Sequence, residues 1–174
     1  MGELQELYPA EEIQAAVLRL AAEVRKDYQG KAPLLVGVLK GCFVFMADLV
    51  RQLDLPLEIE FIQLSSYGSG RTESSGHAEL LQGLRTPIKG RHVLIVEDIV
   101  DTGISLRQTL EYLWEREPAS LNVCVLFDKP ERREVEVPLD YVGLTVPNMF
   151  VVGYGLDCDE KYRGLPGLHT LTDP

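Results

Sequence analysis

Between residues 10 and 28, Ile13, Val17, Leu20 and Val24 recur at helical spacing with charged residues opposite them, which predicts an amphipathic helix. Pro9 and the pair Glu11-Glu12 suit its start. Leu34 to Leu39 is a short continuous apolar run and reads as a buried strand that ends at Lys40-Gly41. Helical spacing returns over 43–53, with Met46, Leu49, Val50 and Leu53 on one face. Leu57, Ile59 and Phe61 then alternate with Glu58 and Glu60, the pattern of a strand. A Ser- and Gly-dominated stretch at 65–77 breaks the periodicity, and loops of that length are often functional. A weak strand is expected at Ala78 to Leu81, and the strongest in the chain at His92 to Val96. A helix from Ser105 to Arg116 and strands at Val123–Phe127 and Phe150–Val152 complete the series. Strands alternate with helices, so a parallel α/β sheet is expected, with ligands beyond the carboxyl ends of its strands.

The 174 residues fit one domain with a substantial core, and no repeat or low-complexity linker divides them. A net charge of −10 argues against non-specific nucleic-acid binding, which needs Lys/Arg surfaces. It leaves room for a small anionic substrate held by a few local donors. Cys42, Cys124 and Cys158 form no CxxC pair, so neither a disulfide framework nor a zinc site is expected, and Cys42 and Cys124 read as core residues. His77, His92 and His169 are scattered and take no role. The acidic start Met1 to Glu6 is no signal peptide, Glu6 breaks the myristoylation pattern, and no apolar run would span a bilayer. A soluble cytoplasmic protein with no membrane partner is expected.

Chemistry concentrates between Val93 and Leu106. An apolar strand delivers Glu97 and Asp98 at its end, Asp101 follows, and Thr102, Gly103, Ile104 and Ser105 lead into a helix. Neighbouring strand residues point in different directions, so the two acids can serve different partners. Carboxylates accept hydrogen bonds from sugar hydroxyls and hold the waters of a hard cation such as Mg²⁺. Thr102 and Ser105 add hydroxyls, Gly103 admits close backbone approach, and amides at a helix start cradle a phosphate. Asp101 stands at the edge of that cradle, free to act on a proton. Ordinary capping would explain any one of these residues. Three acids beside an apolar strand are costly unless they have a use. The Asp-Thr-Gly of aspartic proteases belongs to an all-β setting and fails here.

The run from Glu97 to Gly103 resembles the phosphoribosyl pyrophosphate (PRPP) signature of phosphoribosyltransferases, and its Glu-Asp form is similar to the hypoxanthine-guanine branch. The resemblance covers most of the chain. Leu39-Lys40-Gly41 resembles the family's pyrophosphate loop, with a cis peptide implied between Lys40 and Gly41. Ser65-Ser66-Tyr67-Gly68 resembles its lid. Phe127-Asp128-Lys129-Pro130 and Phe150 to Asp157 resemble its purine site, and Tyr162-Arg163 its second pyrophosphate contact. The implied fold is the type I phosphoribosyltransferase fold: one domain over 1–174, with a mostly parallel twisted sheet flanked by helices. A small hood from the two terminal segments and a lid over 65–77 complete it.

The implied reaction joins the phosphoribosyl group of PRPP to N9 of hypoxanthine or guanine, giving IMP or GMP and pyrophosphate in purine salvage. The implied roles follow residue by residue. Lys129 would donate to the purine O6, Phe150 would stack on the base, and Val151 and Asp157 would meet its edge through backbone groups. Glu97 and Asp98 would serve the ribose and Mg²⁺, and Asp157 a second Mg²⁺. Thr102, Gly103, Ile104 and Ser105 would hold the 5-phosphate. Leu39, Lys40, Gly41 and Arg163 would hold pyrophosphate. Asp101 would be the general base or acid at N7, and Ser66 and Tyr67 would cover the site. A homodimer or homotetramer is implied.

Ser105 stands where the family often has Thr, Cys158 where an aromatic is common, and Gly167-Leu168 replace the usual aromatic-Ile ending. The tail from His169 to Pro174 matches no motif. Two alternatives stand beside this reading. One is a related enzyme for xanthine, adenine or a pyrimidine; Lys129 and Phe150 argue for a 6-oxopurine, which leaves xanthine open at a lower rate. The other is a PRPP- or nucleotide-sensing regulator without catalysis, which the acidic charge and the set Asp101, Lys129 and Arg163 disfavour.

Overall fold

Aliphatic runs that are apolar on both faces can only sit inside a sheet covered on both sides, and the computed structural model, which describes residues 3–65 and 79–172, places them so. In chain order the elements are β1 (Leu4–Tyr8), α1 (Ala10–Tyr28), β2 (Leu34–Leu39), α2 (Phe43–Leu53), β3 (Glu58–Leu64), β4 (Leu80–Gln82) and β5 (His92–Val100). Then follow α3 (Ile104–Trp114), β6 (Ser120–Asp128), a 3₁₀ turn over Pro130–Arg132, β7 (Tyr141–Thr145), β8 (Val151–Val152) and β9 (Leu168–Leu171). Six strands form one sheet in the order β4-β3-β2-β5-β6-β7. All its pairings are parallel except that of β3 with β4.

Side-chain alternation divides the core between the two faces. Leu35, Leu94, Val96, Cys124 and Leu126 pack with Ile13, Val17 and Leu20 of α1 and Phe45 and Leu49 of α2. Val36, Val93, Ile95, Val123 and Val125 pack with Leu106, Leu110 and Leu113 of α3. A second, three-stranded antiparallel sheet, β1-β9-β8, joins the N-terminal segment to the C-terminal one, with Leu4 opposite Leu171.

Three strands were invisible in the hydrophobic pattern. β1 (LQELY) is largely exposed, and β9 (LHTL) mixes polar with apolar positions. β7 is interrupted by Gly143, where a Cβ would stand 2.3 Å from the Leu126 carbonyl oxygen. The Ser105–Arg116 helix begins one residue earlier and ends at Trp114. The weak strand is Leu80–Gln82, and Ala78 lies outside the described residues, as do Ser66, Tyr67, His77 and nearly all of the 65–77 loop.

The main correction concerns β5, expected to end at Val96 and found to run to Val100. The acids therefore lie on the strand rather than beyond it. Pairing with β2 stops at Gly37–Val96, whereas pairing with β6 continues to Val100–Asp128. From Glu97 onward β5 has a partner on one side only. The chain also reverses its direction of sheet growth here, since β3 is added on one side of β2 and β5 on the other. Such a switch point opens a crevice at the carboxyl ends of the strands.

Leu94 is fully buried at the centre of this sheet. Leu94→Ala is expected to cost about 2–5 kcal/mol in urea unfolding. A loss below about 1 kcal/mol would show that the β5 core is not close-packed as described.

Candidate functional site

The crevice between β2 and β5 holds two adjoining clefts. The first, about 230 Å³, is bordered by Gly41, Glu97, Asp98, Asp101, Thr102, Gly103 and Ser105. The second, about 390 Å³, is bordered by Lys40, Gly41, Asp98, Asp157, Glu160 and Arg163. Leu39, Gly41, Leu64 and Asp98 belong to both.

Gly41 and Asp98 are in contact so close that a Cβ on Gly41 would lie 1.6 Å from Asp98 Oδ2. Any side chain there would have to displace the Asp98 carboxylate. The loop carrying Gly41 has a cis peptide, but between Leu39 and Lys40. This corrects the placement between Lys40 and Gly41 that the resemblance implied.

Glu97 is 6% exposed and Asp98 partly exposed. Burial pushes the Glu97 carboxyl well up, and the neighbouring Asp98 charge adds to the shift. Burial likewise raises Asp98 to about 6, against the opposing pull of a hydrogen bond from the Ile99 N–H at 2.8 Å. Arg163 lowers it and Asp157 raises it further. Two adjacent acids, one buried and one partly buried, with only Arg163 offsetting the charge of Asp98, form a site that a cation would relieve. No group of three or more His, Cys, Asp or Glu side chains converges among the described residues, so no all-protein metal cage exists there. A donor set of one or two carboxylates fits Mg²⁺, which keeps waters and substrate oxygens as its remaining ligands.

Past β5 the chain turns through Asp101, Thr102 and Gly103 into α3. Gly103 has φ +87°, and a Cβ there would meet the Val135 carbonyl oxygen at 2.6 Å. The turn is splinted from below by the segment after β6. The Glu134 and Val135 N–H groups donate to the Thr102 carbonyl at 2.9 and 3.1 Å. Arg133 Nε donates to the Asp101 carbonyl at 3.2 Å, while its guanidinium pairs with Asp128. The sequence reading missed Arg133 as part of the site, because charge alone does not tell a splint from a surface arginine. Ile104 N–H meets Thr102 Oγ1 at 3.3 Å, and Ser105 is exposed at the helix start.

Asp101 Oδ1 is buried without a hydrogen bond, though Arg132 Nε stands 3.3 Å away. Its Oδ2 lies 3.9 Å from Lys129 Nζ. Lys129 is 5% exposed and donates to the Met149 carbonyl at 2.8 Å. Burial pulls its pKa down, with Asp101 opposing. Lys129 is therefore not a solvated surface lysine. Phe150 is 43% exposed, while Val151 is buried in β8. Lys129, Phe150 and Val151 border neither cleft; Lys129 reaches the first through Asp101 and, by its bond to the Met149 carbonyl, the segment that leads into Phe150 and Val151. Arg163 pairs with Asp157 at 2.9 Å and with Glu160 at 3.2 Å, and Lys40 with Glu160 at 2.9 Å. Glu160 was not foreseen either.

Residues 3–159 match the phosphoribosyl transferase domain model. The chain is 50% identical to the hypoxanthine-guanine phosphoribosyltransferase of Streptococcus pneumoniae over 163 residues, 94% of this chain and 90% of that one. It is 50% identical to the hypoxanthine phosphoribosyltransferase of Haemophilus influenzae over 157 residues, 88% and 87% of the two chains. The crystal structure of a hypoxanthine-guanine phosphoribosyltransferase from Bacillus anthracis superposes with a TM-score of 0.90 at 38% identity, covering 99% of this chain and all of that one.

Asp98 titrates near 6 when folded and near ~3.9 when unfolded, so the folded protein binds more protons between those values. Its contribution to stability therefore falls as pH rises through that window, and the penalty is complete above it. With EDTA present, Asp98→Asn is expected to be more stable than the parent by about 1–3 kcal/mol at pH 7.5, with the difference vanishing near pH 4. Equal urea midpoints at both pH values would contradict the burial of the pair.

Proposed function

The chain belongs to the phosphoribosyl transferase domain family, and from that premise we propose that it transfers the phosphoribosyl group of PRPP to N9 of hypoxanthine or guanine, releasing pyrophosphate and making IMP or GMP. The observation that carries this reading is the buried Lys129 ammonium beside Asp101. A buried cation donates to the O6 of a 6-oxopurine and has nothing to offer the amino group of adenine. Asp101, with one oxygen unbonded, is placed to exchange a proton with the purine N7. Phe150 stacks on the base and the Val151 backbone meets its edge.

The Thr102–Ser105 turn and the first turn of α3 take the 5-phosphate, because Thr102, Gly103, Ser105 and Leu106 border the first cleft at a helix start. Glu97 and Asp98 accept from the ribose hydroxyls. The Gly41 backbone, Lys40 and Arg163 stabilise the departing pyrophosphate charge in the second cleft. Mg²⁺ would be held by Glu97 and Asp98, with a second ion near Asp157, and would supply charge neutralisation on PRPP oxygens. Ser66 and Tyr67 belong to a lid that keeps water from the oxocarbenium-like sugar. The reading includes a single domain over 1–174 and a homodimer or homotetramer. It also includes a cytoplasmic location; separately, no helix among the described residues is long and apolar enough to cross a membrane.

A steady-state assay with PRPP and Mg²⁺ is expected to show turnover of hypoxanthine and guanine, weak turnover of xanthine, none of adenine, and loss of all activity on chelation. Binding of PRPP without turnover of any base would replace the enzyme by a sensor. Asp101→Asn is expected to lower kcat by about 10²-fold or more while PRPP still binds. An unchanged kcat would remove Asp101 from the proton transfer.

A further inference from the structure

We propose that Glu160 is an internal stand-in for the leaving pyrophosphate, a carboxylate that occupies the cations of the second cleft until substrate phosphates displace it. The inference rests on the reading of that cleft as the pyrophosphate subsite. One Glu160 oxygen meets Lys40 Nζ at 2.9 Å. The other meets Arg163 at 3.2 Å through its terminal nitrogen and 3.3 Å through Nε. A single carboxylate thus spans two cations from different segments, as a bridging phosphate oxygen pair would.

Arg163 does not depend on Glu160 for its place. Its guanidinium also donates to the Gly155 carbonyl at 2.8 Å and pairs with Asp157 at 2.9 Å. Glu160 is therefore a superimposed partner rather than the anchor. Its side chain is 63% exposed, so swinging it into water costs little desolvation. Its backbone stays fixed meanwhile. The Glu160 N–H donates to Asp157 Oδ2 at 2.9 Å, and Cys158 and Lys161 close the turn as an antiparallel bridge. Asp159, Glu160 and Tyr162 all have left-handed φ values, of 50, 62 and 74°. A turn of non-glycine residues in that region is costly and persists only where its surroundings enforce it. The two cations hold the Glu160 carboxyl below its usual range, so it is ionised throughout the working pH range.

The consequence is competition. Pyrophosphate carries more charge than one carboxylate and replaces it, whereas a weakly charged anion gains little by the exchange. When pyrophosphate departs, Glu160 returns, so the cations are never left bare. Affinity for pyrophosphate and PRPP is lowered and product release is eased, with no effect on the chemistry at the base.

The test is titration calorimetry of the full chain with inorganic pyrophosphate and Mg²⁺, alongside steady-state kinetics. Glu160→Gln is expected to bind pyrophosphate about three- to tenfold tighter, the range of two exposed ion pairs. Its KM for PRPP should fall by a similar factor while kcat does not rise. Asp159→Asn removes one negative charge from the same turn without touching an ion pair and is expected to change both constants less than about twofold. Unchanged or weaker pyrophosphate binding by Glu160→Gln would overturn the proposal, because Glu160 would then be supporting the site. Equal tightening by Asp159→Asn would also overturn it, since net charge alone would be responsible. Absence of pyrophosphate binding in both the parent and Glu160→Gln would overturn it together with the assignment of the cleft, and turnover in the base assay would still stand.

Discussion

The contact between Gly41 and Asp98 sets the geometry of everything around it. β2 and β5 run parallel until Val96, then separate, and the loop after β2 folds against the acids of β5 with no room for a side chain between them. A cleft bordered by Thr102, Gly103 and Ser105 opens on one side of the contact and a cleft flanked by Lys40 and Arg163 on the other. Asp98 is common to both. The sheet thus carries the β5 acids to the junction of the two clefts.

The free protein bears a cost for this arrangement. Two adjacent carboxylates lie where burial disfavours their charge, and the proximity of Asp157 adds repulsion. Around them the charges are paired: Arg163 with Asp157 and Glu160, Lys40 with Glu160, Arg133 with Asp128. The loop over 101–103 is fixed by backbone donors and by Arg133 rather than by its own side chains. Rigid support under a charged, imperfectly compensated centre is the form expected of a site that waits for a cation and an anion together.

Much of this was legible in the sequence because the central strands are buried on both faces. Leu34–Leu39 and His92–Val96 could be nothing but core, and the acid-rich run after Val96 stood out against them. The end of β5 was not legible, because Glu97 and Asp98 look like the close of a strand when only polarity is read. Pairing with β6 alone carries them four residues further. β1 and β9 escaped notice because each supplies few apolar positions and is stabilised by the other across 160 residues of chain, information no local window contains. Among the site residues, motif order pointed to Asp101, Lys129 and Arg163. Glu160 and Arg133 became visible only when distances showed which charges they face.

The account's central claim is that burial raises the proton affinity of Glu97 and Asp98 until ligand charge compensates them. Calorimetry of Mg²⁺–PRPP binding at pH 6, in buffers of differing ionisation enthalpy, measures the protons exchanged. Release of protons on binding, reduced in Asp98→Asn after the same ligand titration, is the result the account requires. Equal proton exchange by the two proteins would mean that Asp98 releases no proton on binding and that its burial does not govern the site.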